Sequence, residues 1–158
     1  MTDVLFQWSD AYSVGVEEID EQHKELVRLL NSLHQAIHEQ HGSEISRQIL
    51  NELTEYTRVH FAVEESLMRI SAYPDFVNHK KIHASLIQQV LELQTKLDAG
   101  TAKISFELLH FLKHWLMHHI VESDKLFGAH FARTGMSTAW SPAVKAGMAE
   151  QRSWWKLW

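Results

Sequence analysis

Residues 75–98 read Asp75-Phe76-Val77-Asn78-His79-Lys80-Lys81-Ile82-His83-Ala84-Ser85-Leu86-Ile87-Gln88-Gln89-Val90-Leu91-Glu92-Leu93-Gln94-Thr95-Lys96-Leu97-Asp98, and this stretch decides the fold. Phe76, His79, His83, Leu86, Val90, Leu93 and Leu97 recur at alternating steps of three and four, the spacing of one face of an α-helix. Two members of that otherwise apolar stripe are histidines. Gly100 stops the helix at one end and Tyr73-Pro74 separates it from what precedes.

The same signature extends outward in both directions. Upstream, a helix from about Ser43 to Ser71 carries the seam Ile45, Ile49, Leu53, Tyr56, Val63, Leu67 and Ile70, with His60 in the gap. Before it, a helix starting near Asp20, whose carboxylate can cap it, runs to just short of Gly42. Its seam is Ile19, Leu26, Leu30, Leu33 and Ile37, and the missing member is His23. Downstream, about Ser105 to Arg133 carries Leu108, Leu112, Trp115, His119 and Leu126. Four long helices, each with one apolar stripe and short connections, predict an all-α, up-down-up-down antiparallel four-helix bundle. Residues 1–19 read as an N-terminal arm. The expected division is a bundle over 1–133 and a Trp-rich extension over 134–158. In the extension, Ser141-Pro142 resembles a helix start, and Val144, Met148, Trp155 and Trp158 would share one face of a short helix.

Composition agrees and excludes much. The 158 residues include only 6 Gly and 2 Pro, too few breakers for a turn-rich β fold. The net charge of −5 argues against a nucleic-acid binder working through a basic surface. With no Cys there are no disulfides, thiolate nucleophiles or Cys-ligated clusters. No apolar run approaches about 18 residues and no charged-then-apolar leader opens the chain, so the expectation is a cytoplasmic protein without a membrane span.

Histidine is the anomaly, with 12 copies. Five of them, His23, His60, His79, His83 and His119, occupy seam positions, and in the predicted topology all fall at one end of the bundle. A buried imidazole left unpaired costs about 1–3 kcal/mol, and a shared metal satisfies several at once. Glu64 follows His60 by four residues and shares its helix face. Asp124 follows His119 by five, roughly 140° around an α-helix, an awkward offset for one ion and a more natural one for reaching a second. Glu65 and Glu122 compete for the carboxylate roles but read as solvated surface. Five imidazoles and two carboxylates exceed one tetrahedral zinc. They suit two first-row metals bridged by carboxylates, iron above the others. The rows His110/His114/His118 and His34/His38/His41 read as polar faces that could scavenge Ni, Cu or Zn. Glu107-Leu108-Leu109-His110 is a single Glu-x-x-His copy where ferritin-like sites need two.

These pieces together resemble the hemerythrins, specifically the single-domain bacterial members. The matching stretches are Trp8; Ser13-Val14-Gly15-Val16; Ile19-Asp20-Glu21-Gln22-His23; and His60-Phe61-Ala62-Val63-Glu64-Glu65 with Met68. They continue through His79-Lys80-Lys81-Ile82-His83, Trp115-Leu116-Met117-His118-His119-Ile120 and Asp124-Lys125, covering about residues 8–131. The resemblance implies a non-haem di-iron centre with an oxo or hydroxo bridge that binds O2 reversibly. It implies His79, His83 and His119 on a six-coordinate iron, His23 and His60 on a five-coordinate one, and Glu64 and Asp124 as bridges. O2 would be held as hydroperoxide at the five-coordinate iron, with no catalytic residue required. Leu26, Phe61, Trp115, Leu116 and Ile120 are the expected lining of the O2 pocket. Phe127 departs from the pattern, since many members carry Tyr there. The alternative function is a di-iron enzyme acting on peroxide or nitric oxide; a third is a bundle using another metal, or none, for structure. The extension gains no role from the resemblance, and residues 140–158 read either as core docking or as contact with a protein or a membrane surface.

Overall fold

The computed structural model describes residues 4–39 and 42–136. A 3₁₀ turn at Asp10–Tyr12 precedes helices α1 (Glu17–His38), α2 (Ser43–Ile70), α3 (Phe76–Asp98) and α4 (Phe106–His118). A π-helical segment, His119–Asp124, joins α4 to α5 (Lys125–Arg133), so that the fourth rod of the bundle is one helix with a wide turn in it. His41 and the extension proposed to form a helix beyond Met136 lie outside the described residues.

α1 packs against α2 and α4, and α2 against α3. Gln94, late in α3, donates to Asn51, early in α2, at 2.8 Å, as antiparallel neighbours require. The α4 start follows the sequence reading, with Ser105 Oγ accepting from the Leu108 amide. The α1 start does not. Val16 precedes the helix, and Asp20 sits inside its first turn, where its carboxylate accepts from the Val14 amide at 2.8 Å and from the Ser13 hydroxyl. Asp20 therefore ties down the arm instead of capping the helix. Asn31 holds the arm further along, exchanging hydrogen bonds with both backbone groups of Phe6 at 2.9 and 2.8 Å. On its other side the arm lies against α5, where a Cβ on Gly128 would overlap the Val14 carbonyl.

Two apolar clusters share the interior. One, around Leu26, Leu30, Leu33, Leu50, Leu53, Leu86 and Leu109, fills the bundle on one side of the histidines, and Leu5 of the arm packs against it. The other joins Val14, Val16 and Ile19 to Leu67, Met68, Ile120, Phe127 and Phe131. Three predicted seam members are outside: Ile45, Ile70 and Leu126 are 44%, 67% and 65% exposed. Ile45 and Ile70 lie in the end turns of α2, with no apolar layer over them. Leu126 is displaced by the π segment, which adds one residue to the turn and moves the buried phase from 126 to Phe127, which is fully buried.

Candidate metal centre

Between the clusters lies a polar interior. His23, His60, Glu64, His79, His83, His119 and Asp124 are all 3% exposed or less. They fall into two overlapping groups: Glu64, His79, His83, His119 and Asp124; and His23, His60, Glu64 and Asp124. All five imidazoles turn Nε2 inward. His23 and His60 bring Nε2 atoms to 3.1 Å of one another, and His83 and His119 to 3.0 Å.

Both carboxylates belong to both groups, and each divides its oxygens between them. Glu64 Oε1 faces His60 at 3.5 Å and His23 at 3.8 Å, while Oε2 faces His83 at 3.2 Å and His79 at 3.7 Å. Asp124 Oδ2 lies 2.9 Å from His23, and Oδ1 lies 3.1 Å from both His79 and His119. The π segment makes the last contact possible. In an α-helix residues five apart diverge, but a wider turn with i→i+5 bonding returns them to one face. Asp124 thus stands over His119 with one oxygen and, as its offset predicted, reaches the second group at His23 with the other.

Without a cation this arrangement is poorly satisfied. Both oxygens of Glu64, both of Asp124, and His79 Nε2 are buried with no aligned hydrogen bond, although nitrogens and oxygens stand close. Close approach without hydrogen-bond angles is what donor atoms show around a common centre. Two ligands at right angles, each about 2.1 Å from one ion, are about 3.0 Å apart, the spacing of the facing Nε2 pairs. The donor set, imidazole nitrogen with carboxylate oxygen, suits iron or zinc.

The electrostatics favour the protonation states that a metal needs at His60, Glu64 and Asp124, and oppose them at His79. Burial pushes His60 down to about 3, so its imidazole is neutral. Burial and Asp124 push Glu64 upward, but His60, His79 and His83 outweigh them and hold it at about 2. Asp124 stays well below the usual carboxylate range because His119, His23 and His79 outweigh its burial. His79 resists charge through burial, yet Asp124 and Glu64 raise it to about 9, so a cation entering there competes with a proton.

Aromatic rings fix two of the imidazoles. Phe61 stacks on His83 with centroids 3.7 Å apart, and Trp115 on His119 at 4.5 Å. A cavity of about 40 Å³ opens beside them, bounded by Leu26, Phe61, Trp115, Leu116 and one imidazole from each group, His60 and His119. About 10–15 Å³ holds one water, so a diatomic molecule fits. Ile120, expected in this lining, packs instead in the cluster with Phe127 and Met68.

Sequence reasoning overlooked one neighbour and misplaced another. Gln22 is 3% exposed and its Oε1 lies 2.7 Å from His60 Nδ1; its place three after Ile19 and four before Leu26 was the available signal. Glu65, expected as solvated surface, is only 19% exposed and stands 3.4 Å from His83 Nδ1. Glu122 is exposed as expected and pairs with His118 at 3.1 Å.

Residues 14–130 match the family model described as the Hemerythrin HHE cation binding domain. A bacteriohemerythrin of Stenotrophomonas maltophilia is 35% identical over 143 residues, 86% of this chain and 92% of its own. One from Methylococcus capsulatus is 36% identical over 125 residues, 78% of this chain and 95% of its own. A crystal structure of wild-type hemerythrin superposes with a TM-score of 0.78 at 32% identity, covering 81% of this chain and 98% of that one.

Proposed function

This chain belongs to the hemerythrin family, and we propose that it binds O2 reversibly at a pair of iron ions, as a store, carrier or sensor of oxygen. The observation that carries this reading is the division of both carboxylates, Glu64 and Asp124, between two groups of imidazoles. His79, His83 and His119 would hold one iron, His23 and His60 the other, with the carboxylates spanning them. The second group offers one imidazole fewer, which leaves room for an exogenous ligand. When bound, a ferrous pair would supply the reducing equivalents for holding O2 and recover them on its release.

The chain's own contribution is holding and exclusion. Two of the imidazoles, His83 and His119, are held by stacking on Phe61 and Trp115, so these rings reorganise little when the metal changes. The cavity beside His60 and His119 is lined mainly by apolar side chains. Such a lining admits a small uncharged gas and disfavours the escape of a charged, reduced oxygen species. No general acid or base beyond the seven donors borders that cavity among the described residues, which supports binding over turnover. We assign the function to residues 1–133 and none of it to 134–158.

The test is the visible spectrum of the reduced, iron-loaded protein cycled between vacuum and air. Reversible appearance and loss of charge-transfer bands, with two irons per chain, is the expected result. Irreversible oxidation on the first cycle would replace this reading with an enzyme acting on peroxide or nitric oxide.

A further inference from the structure

Since the metal-facing imidazoles present Nε2, what stands behind Nδ1 governs how strongly each donates. The two sides of the centre differ here. Behind His60 is the amide oxygen of Gln22, 2.7 Å from Nδ1. An amide oxygen only accepts, so Nδ1 carries the proton and Nε2 keeps its lone pair for the interior. Behind His83 is a carboxylate, Glu65, 3.4 Å from Nδ1. That contact is longer but carries a formal charge, whose influence extends past hydrogen-bond range at a mostly buried position.

Chain order makes the arrangement economical. Gln22 directly precedes His23, and Glu65 directly follows Glu64. Each supports an imidazole on the next helix, Gln22 of α1 reaching α2 and Glu65 of α2 reaching α3. A residue adjacent to one donor thereby orients a donor of its neighbour. Locking a ring through Nδ1 also fixes the direction of Nε2.

We infer that Gln22 and Glu65 are positioning residues that make the two metal positions unequal, with the anionic partner strengthening the five-donor group and the neutral amide leaving the four-donor group the weaker. This rests on the two-metal reading above. An imidazole backed by a carboxylate has more electron density to give and favours the higher oxidation state of its metal. One backed by an amide gains orientation without that added charge. The asymmetry suits a centre in which one position is kept saturated and the other must accept and release a ligand.

Cobalt(II) titration of the full-length apoprotein against a competing chelator tests this without reference to O2. The unaltered chain should take up two ions of unequal affinity. Glu65→Gln, which keeps size and removes charge, should weaken the tighter ion by about tenfold and leave the other within twofold. Gln22→Glu should tighten the weaker ion by a similar factor, and Gln22→Leu, which removes the acceptor, should loosen it. In the iron-loaded chain, Glu65→Gln should raise the midpoint potential and Gln22→Glu should lower it. A chain that binds fewer than two cobalt ions would end the two-metal reading and the inference with it. Two ions in the unaltered chain, with affinities and potential unmoved by Glu65→Gln and Gln22→Glu, would leave that reading standing and overturn the inference alone. Equal weakening of both ions by Glu65→Gln would also overturn it, because a merely structural residue does that.

Discussion

The two ends of this bundle are built from the same helices by opposite chemistry. At one end, Leu30, Leu33, Leu50, Leu53, Leu86 and Leu109 meet in an apolar layer that needs nothing beyond itself. At the other end the same faces present five imidazoles and two carboxylates, with several buried atoms lacking hydrogen-bond partners. Burial stabilises the first end by about 25 cal/mol per Å² of apolar surface. At the second, burial is a cost that a bound cation offsets. A bundle can carry such an end only because the other is self-sufficient.

Removing a donor that both groups share should separate the two ends most clearly. Glu64→Ala should abolish binding of both irons, measured as metal per chain, while the far-UV dichroism retains most of its helical signal. Retention of one tightly bound iron would show that the groups are independent. At the apolar end, Leu109→Ala, at a position with no exposure, should cost about 2–5 kcal/mol in denaturant unfolding. It should leave two irons bound, so stability and metal content separate by end.

A smaller effect is expected from pH on the apoprotein. His60 falls from its ordinary 6.5 to about 3. Between those values the unfolded chain binds the extra proton, so stability declines as pH drops below 6.5. His79 rises from 6.5 to about 9. There the folded chain binds the extra proton, so its contribution is complete below 6.5 and is lost as pH rises through 9. Thermal melts of the apoprotein should therefore peak near pH 6.5, and iron loading should flatten the profile by replacing both protonation equilibria. A monotonic apoprotein profile from pH 4 to 9 would contradict this. The least effect is expected from His110→Ala, on the exposed face of α4: stability within about 0.5 kcal/mol and iron content unchanged. Loss of iron there would mean that histidines outside the core bear on the centre.

Much of this was legible beforehand because side-chain phase is a local property. The stripe Phe76–His79–His83–Leu86–Val90 shows its face in the spacing alone, and His23 and His60 betray themselves by filling gaps in apolar seams. Leu126 shows where that logic fails. Seven residues after His119 it should be buried, yet it is 65% exposed and Phe127 takes the interior. A π segment reads in sequence like any other helical turn. Gln22 and Glu65 were hard to see for a related reason: the partner of each lies on another helix, a pairing no single-helix period contains.

The sequence by itself therefore determined four amphipathic helices, the end at which their histidines gather, and the donor types that suit iron. Tertiary structure alone decided that Asp124 stands over His119, that each carboxylate gives one oxygen to each group, and that an amide backs His60 where a carboxylate stands near His83. The physical reason is range. Amphipathic period is fixed by neighbours within two turns of helix, whereas an extra residue in one turn and a hydrogen bond between helices are selected only when the packed core closes around them.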